Sequence, residues 1–221
     1  TQPALAQVNL GSADGTGAGV TVAMLDGGFA LYHEFVDQSY VNGYDAIDDD
    51  FDAHDVGDGI DQDSDGHVDG FVGHGTFGAG LVISIAPDAA IMPIRVLDDE
   101  GHGTILSLWL GISAAVDAEV DVINLSLVAS TMPPDLQNAL LAANAAGIDI
   151  VTAAGNDPAG PSVHPFLGGL ASVVGACNLA SGDLGWSPPP SGITVYAPGE
   201  DLLGPLGGSG ANANSYGYWG G

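Results

Sequence analysis

Gly19-Val20-Thr21-Val22-Ala23-Met24-Leu25-Asp26-Gly27-Gly28 is a nearly apolar run that stops on an acid followed by two glycines. Such a run reads as a short strand buried on both faces, the kind that parallel sheets use. Five more runs of this type follow, over 91–97, 120–125, 148–153, 172–176 and 193–196, and they alternate with helical patterns over 74–85, 104–118 and 133–146. The alternation predicts an α/β fold, a doubly wound and mainly parallel sheet with helices on both faces. Pro133 and Pro134 start the third helix, where a missing N–H is harmless, and Gly147 stops it. In the second helix Ile105, Leu108, Trp109, Ile112 and Val116 recur at helical spacing, which places Trp109 in the core.

Sheets of this class carry their sites at the carboxyl ends of strands. Asp26 stands at such an end, and Asn156 follows the run 148–153 through Ala153-Ala154-Gly155. His74 opens the first helix in Gly73-His74-Gly75-Thr76-Phe77-Gly78-Ala79-Gly80. From 181 to 221 the chain reads as loop-rich, with Pro188-Pro189-Pro190 and a glycine- and asparagine-rich tip over 207–214. No internal repeat or linker divides the 221 residues, so one domain is expected, with 45–72 as an acidic insertion within it.

Charge narrows the partners. Against 28 acids stands one basic residue, Arg95, for a net charge of −27. Such a surface repels phosphate backbones and anionic lipid, which disfavours nucleic acid and membrane partners and favours cations. Eleven of the acids fall between Asp45 and Asp69. Within that stretch, Asp61-Gln62-Asp63-Ser64-Asp65-Gly66-His67-Val68-Asp69 places oxygens at alternate positions with glycine at the turn, the register of an EF-hand-type calcium loop. The expected ligands are Asp61, Asp63, Asp65, the His67 carbonyl and Asp69. Val72 stands where such a loop supplies a bidentate glutamate, so the site either borrows another acid, Asp58 or Asp55, or stays weak. The alternative is a solvated acidic coat.

Cys177 has no partner for an internal disulfide and sits in an apolar run, which predicts a small buried residue. His33, His54, His67, His102 and His164 lack paired metal spacing and read as surface or loop residues, and zinc is not implied. No apolar stretch reaches membrane-spanning length, and Thr1 does not begin a signal peptide.

In order, the Asp26 strand, the Gly73-His74-Gly75-Thr76 block, Val122-Ile123-Asn124-Leu125-Ser126-Leu127 and Ala153-Ala154-Gly155-Asn156 resemble the catalytic domain of a subtilisin-like serine protease. The resemblance runs from about residue 2 to the last residue. It implies that Asp26 orients His74, that His74 is the base and that Asn156 is the oxyanion donor. It also implies an extended peptide or protein substrate laid between two segments, Gly101-His102-Gly103 and Ser126-Leu127-Val128, beside Ala154 and Gly155. Similar acidic insertions occur before the histidine block of several bacterial members, which supports a structural calcium ion and secretion. Tyr216-Gly217-Tyr218-Trp219-Gly220-Gly221 resembles the approach to the family's Gly-Thr-Ser, so the nucleophile is expected at position 223, with the fold C-terminally incomplete and this chain alone inactive. Its own further C-terminal segment, or other copies of itself, would then be partners. Two departures stand out: Gly27 replaces the usual hydroxyl residue after the acid, and Val128 replaces a usual glycine at the substrate edge. With the ending, they leave a second reading open, a non-catalytic relative that binds or assembles in a calcium-dependent way.

Overall fold

The computed structural model describes residues 8, 15–129, 131–157, 167–178, 192–207 and 214–221. Strands β1 (Thr21–Asp26), β2 (Tyr44–Asp45), β3 (Ala90–Arg95), β4 (Val122–Leu125), β5 (Asp149–Ala153), β6 (Ala171–Cys177) and β7 (Val195–Pro198) form one sheet in the order β2-β3-β1-β4-β5-β6-β7. Every pairing within it is parallel. Helices α1 (His74–Ile85), α2 (Ile105–Asp117) and α3 (Pro134–Ala145) supply crossovers. The doubly wound α/β expectation is therefore met.

Alternation along β1 divides the core. Val22 and Met24 join Phe29, Val36, Ala79 and Ile83 on the side of α1, whereas Ala23 and Leu25 join Leu108, Ile112, Leu136 and Leu140 on the side of α2 and α3. Burial on both faces is what a parallel sheet requires. Small residues bring α1 close: a Cβ on Gly75 would stand 2.3 Å from the Gly28 carbonyl oxygen, and one on Gly80 would stand 2.2 Å from Pro205 Cδ. A side chain at Gly75 would push His74 away from the sheet, and one at Gly80 would part the helix from Pro205.

Helix α2 starts on a reciprocal cap. Thr104 Oγ1 accepts from Ser107 N at 3.0 Å, and Thr104 N donates to Ser107 Oγ at 3.0 Å. Caps of this kind contribute about 1 kcal/mol.

Several expectations need correction. The run expected over 193–196 appears as β7, but the rest of the region read as loop-rich contains an antiparallel hairpin, β8 (Leu202–Pro205) with β9 (Tyr216–Trp219), which packs on α1. Short strands broken by Gly204 and Gly217 give little periodicity to read. Trp109 is 37% exposed rather than in the core, because the buried stripe of α2 runs through Leu108, Gly111, Ile112 and Ala115. Cys177 is half-buried, at the end of β6. His164, Pro188-Pro189-Pro190 and most of the 207–214 tip lie outside the described residues.

Candidate active site

The carboxyl end of β1 delivers Asp26 into a fully buried position. Its Oδ1 meets His74 Nδ1 at 2.8 Å and accepts from Gly27 N at 2.8 Å. Asp26 Oδ2 is buried without a partner. A carboxylate at this distance requires the proton on Nδ1, which leaves Nε2 of the neutral ring as an acceptor. The His74 side chain is partly open to the cleft. Gly73, at φ +96°, turns the chain into α1 and has no side-chain cap there. Its N–H donates instead to Asp55 Oδ2 at 2.5 Å.

Aromatic rings pack around the base. Phe71 stacks on the His74 ring at 4.2 Å, and Trp219 of β9 meets it edge-on at 5.3 Å. A Cβ on Gly27 would lie 2.7 Å from Phe71 Cδ1, so the ring occupies the space of the side chain that residue 27 lacks.

Asn156 follows β5 and lines the same cleft as His74, a cavity of about 730 Å³. Its walls include Gly101, His102, Gly103, Ser126, Leu127, Val128, Ala154 and Gly155, so the expected substrate-edge residues come together around the base. Val128 fits because residue 155 is glycine at φ +94°; a Cβ there would stand 3.3 Å from Val128 Cγ2. Gly220 and Gly221 line the cleft too, and a Cβ on Gly221 would come 3.6 Å from Asn156 Nδ2. Among the described residues, no Ser, Thr or Cys side chain hydrogen-bonds the His74 ring.

The acidic stretch forms two groups. Carboxylates of Asp61, Asp63 and Asp65 lie within 4.8 Å of one another. Asp65 N donates to Asp61 Oδ1 at 3.2 Å and to Asp63 Oδ1 at 3.0 Å, and Gly66 turns at φ +94°. His67 N donates to Asp65 Oδ1 at 2.7 Å. Asp69 departs from the expected set and clusters with Asp58 and the buried Asp99. Backbone N–H groups draw that second group together: Asp58 N donates to Asp69 Oδ1 and to Asp99 Oδ2, each at 3.0 Å.

The sequence model of the Subtilase family (Peptidase_S8) matches residues 17–218. This chain belongs to the subtilase family. It is 30% identical over 204 residues to a thermophilic serine proteinase of Bacillus sp. (strain AK1), covering 92% of this chain and 48% of that protein. It is 31% identical over 201 residues to an intracellular serine protease of Paenibacillus polymyxa, covering 85% of this chain and 58% of that one. A third relative, the minor extracellular protease Vpr of Bacillus subtilis (strain 168), is 35% identical over 176 residues, 74% of this chain and 21% of Vpr. The chain thus spans about half the length, or less, of these curated relatives. A cold-adapted subtilisin-like serine proteinase shares the fold at TM-score 0.75 and 24% identity, covering 95% of this chain and 72% of that one. A lanthipeptide protease does so at TM-score 0.76 and 23% identity, covering 98% and 71%.

Not every histidine of this subtilase is peripheral. His33, read as a surface or loop residue, lies in a turn but is fully buried. Its Nε2 donates to the Ser215 carbonyl at 3.0 Å and its Nδ1 accepts from Phe35 N at 3.2 Å, which fixes a neutral tautomer and ties the chain after β1 to the hairpin. His67 and His102 are exposed. His54 is half-buried, and bridges to Phe29.

Asp55, which the sequence offers as a spare metal ligand, holds the entry to α1. Burial pushes its carboxyl up to about 6; the Gly73 hydrogen bond opposes this, nearby Asp26 and Asp99 reinforce it, and Arg95 opposes it. Asp99 gave no sequence signal, lying thirty residues beyond its partner Asp69. For Phe71 the signal was indirect: a missing side chain at Gly27.

Proposed function

We propose that this chain forms the catalytic domain of a secreted, calcium-binding, subtilisin-like serine endopeptidase that hydrolyses bonds in extended peptide or protein chains. The Asp26–His74 hydrogen bond at 2.8 Å, facing the cleft that Asn156 also lines, carries this reading. Asp26 holds the Nδ1–H tautomer, so His74 Nε2 takes the nucleophile's proton as the hydroxyl oxygen attacks the substrate carbonyl. Asn156 Nδ2–H donates to the oxyanion that forms, a contribution of about 3 kcal/mol in such sites. His74 then returns the proton to the departing amine, and water releases the acyl group by the same route.

The nucleophile belongs at position 223, two residues past Gly221. The approach of Gly221 to Asn156 supports that register. The experiment is to read the residues encoded after 221, express the extended protein and expose both forms to a serine-directed phosphonate. Ser at 223, labelled in the extended protein and unlabelled in the 221-residue chain, is the expected result. Another residue at 223, or labelling of the 221-residue chain, overturns the assignment and favours the non-catalytic binding reading.

Asp61, Asp63, Asp65 and the His67 carbonyl would hold the calcium ion, whose charge would relieve repulsion among three converging carboxylates. Gly66 at φ +94° gives the sharp turn such a loop needs. Asp69 would act from the neighbouring group with Asp58 and Asp99. Chelation is expected to lower the melting temperature and expose 55–72 to proteolysis; if neither changes, the acidic-coat reading replaces the calcium site. Secretion is supported by the calcium loop and by the extracellular relative Vpr, and cell fractionation tests it.

A further inference from the structure

Phe71 has no part in the chemistry assigned above, yet it touches the base of that chemistry. Its ring lies 4.2 Å from the His74 ring, centroid to centroid, and 22° from parallel with it. Two glycines make room for it. A Cβ on Gly27 would come 2.7 Å from Phe71 Cδ1, and one on Gly101 would come 2.8 Å from Phe71 Cδ2. Both distances are shorter than packed atoms tolerate, so the ring fills the space that side chains at 27 and 101 would need. Its backbone is pinned as well: Phe71 N donates to the Asp99 carbonyl at 2.9 Å, and His74 N donates to the Phe71 carbonyl at 3.1 Å.

A single hydrogen bond to Asp26 Oδ1 fixes one edge of the imidazole and leaves its plane free to swing. Asp26 Oδ2 adds no further restraint, since it is buried without a partner. A flat ring stacked on one face supplies the missing restraint, because aromatic pairs favour defined mutual orientations. Trp219 touches His74 with an edge-to-face geometry, at 80° between planes, and adds a second aromatic contact to the ring.

We propose that Phe71 is a positioning residue for His74: seated in the space left by glycine at 27 and 101, its ring fixes the imidazole plane in which Nδ1 meets Asp26 and Nε2 faces the cleft. The absent side chain at 27 and the seat of this ring are then two sides of one arrangement. The role of His74 as base rests on the serine-protease reading; the contact itself does not.

The test reads the His74 Nδ1 proton by NMR in the 221-residue chain, labelled with ¹⁵N-histidine, alongside the melting temperature. Phe71→Tyr keeps the flat face and is expected to keep the wild-type exchange rate of that proton. Phe71→Leu keeps apolar bulk without a face and is expected to speed exchange about five-fold, the scale of an aromatic pair's orientation-dependent contribution. Gly27→Ala is expected to speed exchange when Phe71 is present, by displacing the ring, and to add nothing in the Phe71→Ala background. Wild-type exchange in Phe71→Leu at an unchanged melting temperature would reduce the ring to a filler and overturn the proposal. So would a Gly27→Ala effect of equal size with and without Phe71, a readout that stands even if Phe71→Leu fails to fold. A failure of phosphonate labelling in the extended protein would sink the protease reading and leave these exchange rates as they are.

Discussion

Asp26 and Asp45 end two strands on either side of β3, and both are in register with Arg95, yet the structure treats them in opposite ways. Both side chains are essentially inaccessible to solvent. Asp45 is saturated: Oδ2 accepts from Arg95 Nη1 at 2.9 Å, and Oδ1 accepts from Ile47 N at 2.7 Å and Asp48 N at 3.1 Å. Asp26 has one loaded oxygen and one orphan, and its side-chain partner is an imidazole rather than a guanidinium. Burial of an acid therefore does not mark a working site. What separates them is whether the partner set is complete and whether the partner can gain and lose a proton.

The largest effect should come from replacing Asp26. In the extended protein, Asp26→Asn is expected to lower kcat about 10⁴-fold by favouring the wrong tautomer of His74, with little change in melting temperature. A similar loss of kcat on replacing Asp45, in a protein that still folds, would erase the distinction. Next in size is Arg95→Met, which leaves the buried Asp45 carboxylate without its cation. An unfolding free energy lower by about 3–5 kcal/mol in denaturant titration is expected. A cost below about 1 kcal/mol, the range of exposed ion pairs, would mean that Asp45 is better hydrated than its burial implies.

Asp55 lies between these extremes and sharpens the comparison through pH. Its carboxyl is raised from 3.8 to about 6 in the folded protein, mainly by burial. A raised acid binds its proton more tightly when folded, so its contribution to stability is complete below about pH 4 and is lost as pH climbs through about 6. Asp55→Asn, which can still accept from Gly73 N, should narrow the difference in melting temperature between pH 4.5 and 7.5. An unchanged difference would place Asp55 among the hydrated acids. This is the smallest of the three effects.

The central strands were legible because they are apolar on both faces, and α1 was read over the same residues that the structure assigns. Asp26, His74 and Asn156 were legible for a related reason: each is attached to an element whose pattern is strong. What escaped depends on pairings that no local pattern records. Arg95 reaches back to Asp45 and Asp48, and Asp99 pairs with the loop of Asp58 and Asp69. His33 looked like any polar loop residue until Ser215 was brought to it from the far end of the chain. The hairpin of β8 and β9 is held in place by α1 and by this histidine, so its strands needed no long apolar run.

The wholly parallel sheet also has a kinetic consequence. Central strand β1 must find Ala90 for Thr21 and Val122 for Val22, so no adjacent hairpin can nucleate the sheet. Closing the first of these pairings confines the chain that carries eleven acids between Asp45 and Asp69. Non-local pairing makes folding slow in general, and self-repulsion within the loop raises the barrier further. Ions that screen the loop should therefore speed refolding as well as steady the finished structure. The same strand order that delivers Asp26 to His74 thus ties the assembly of that pair to the ionic strength in which the chain folds.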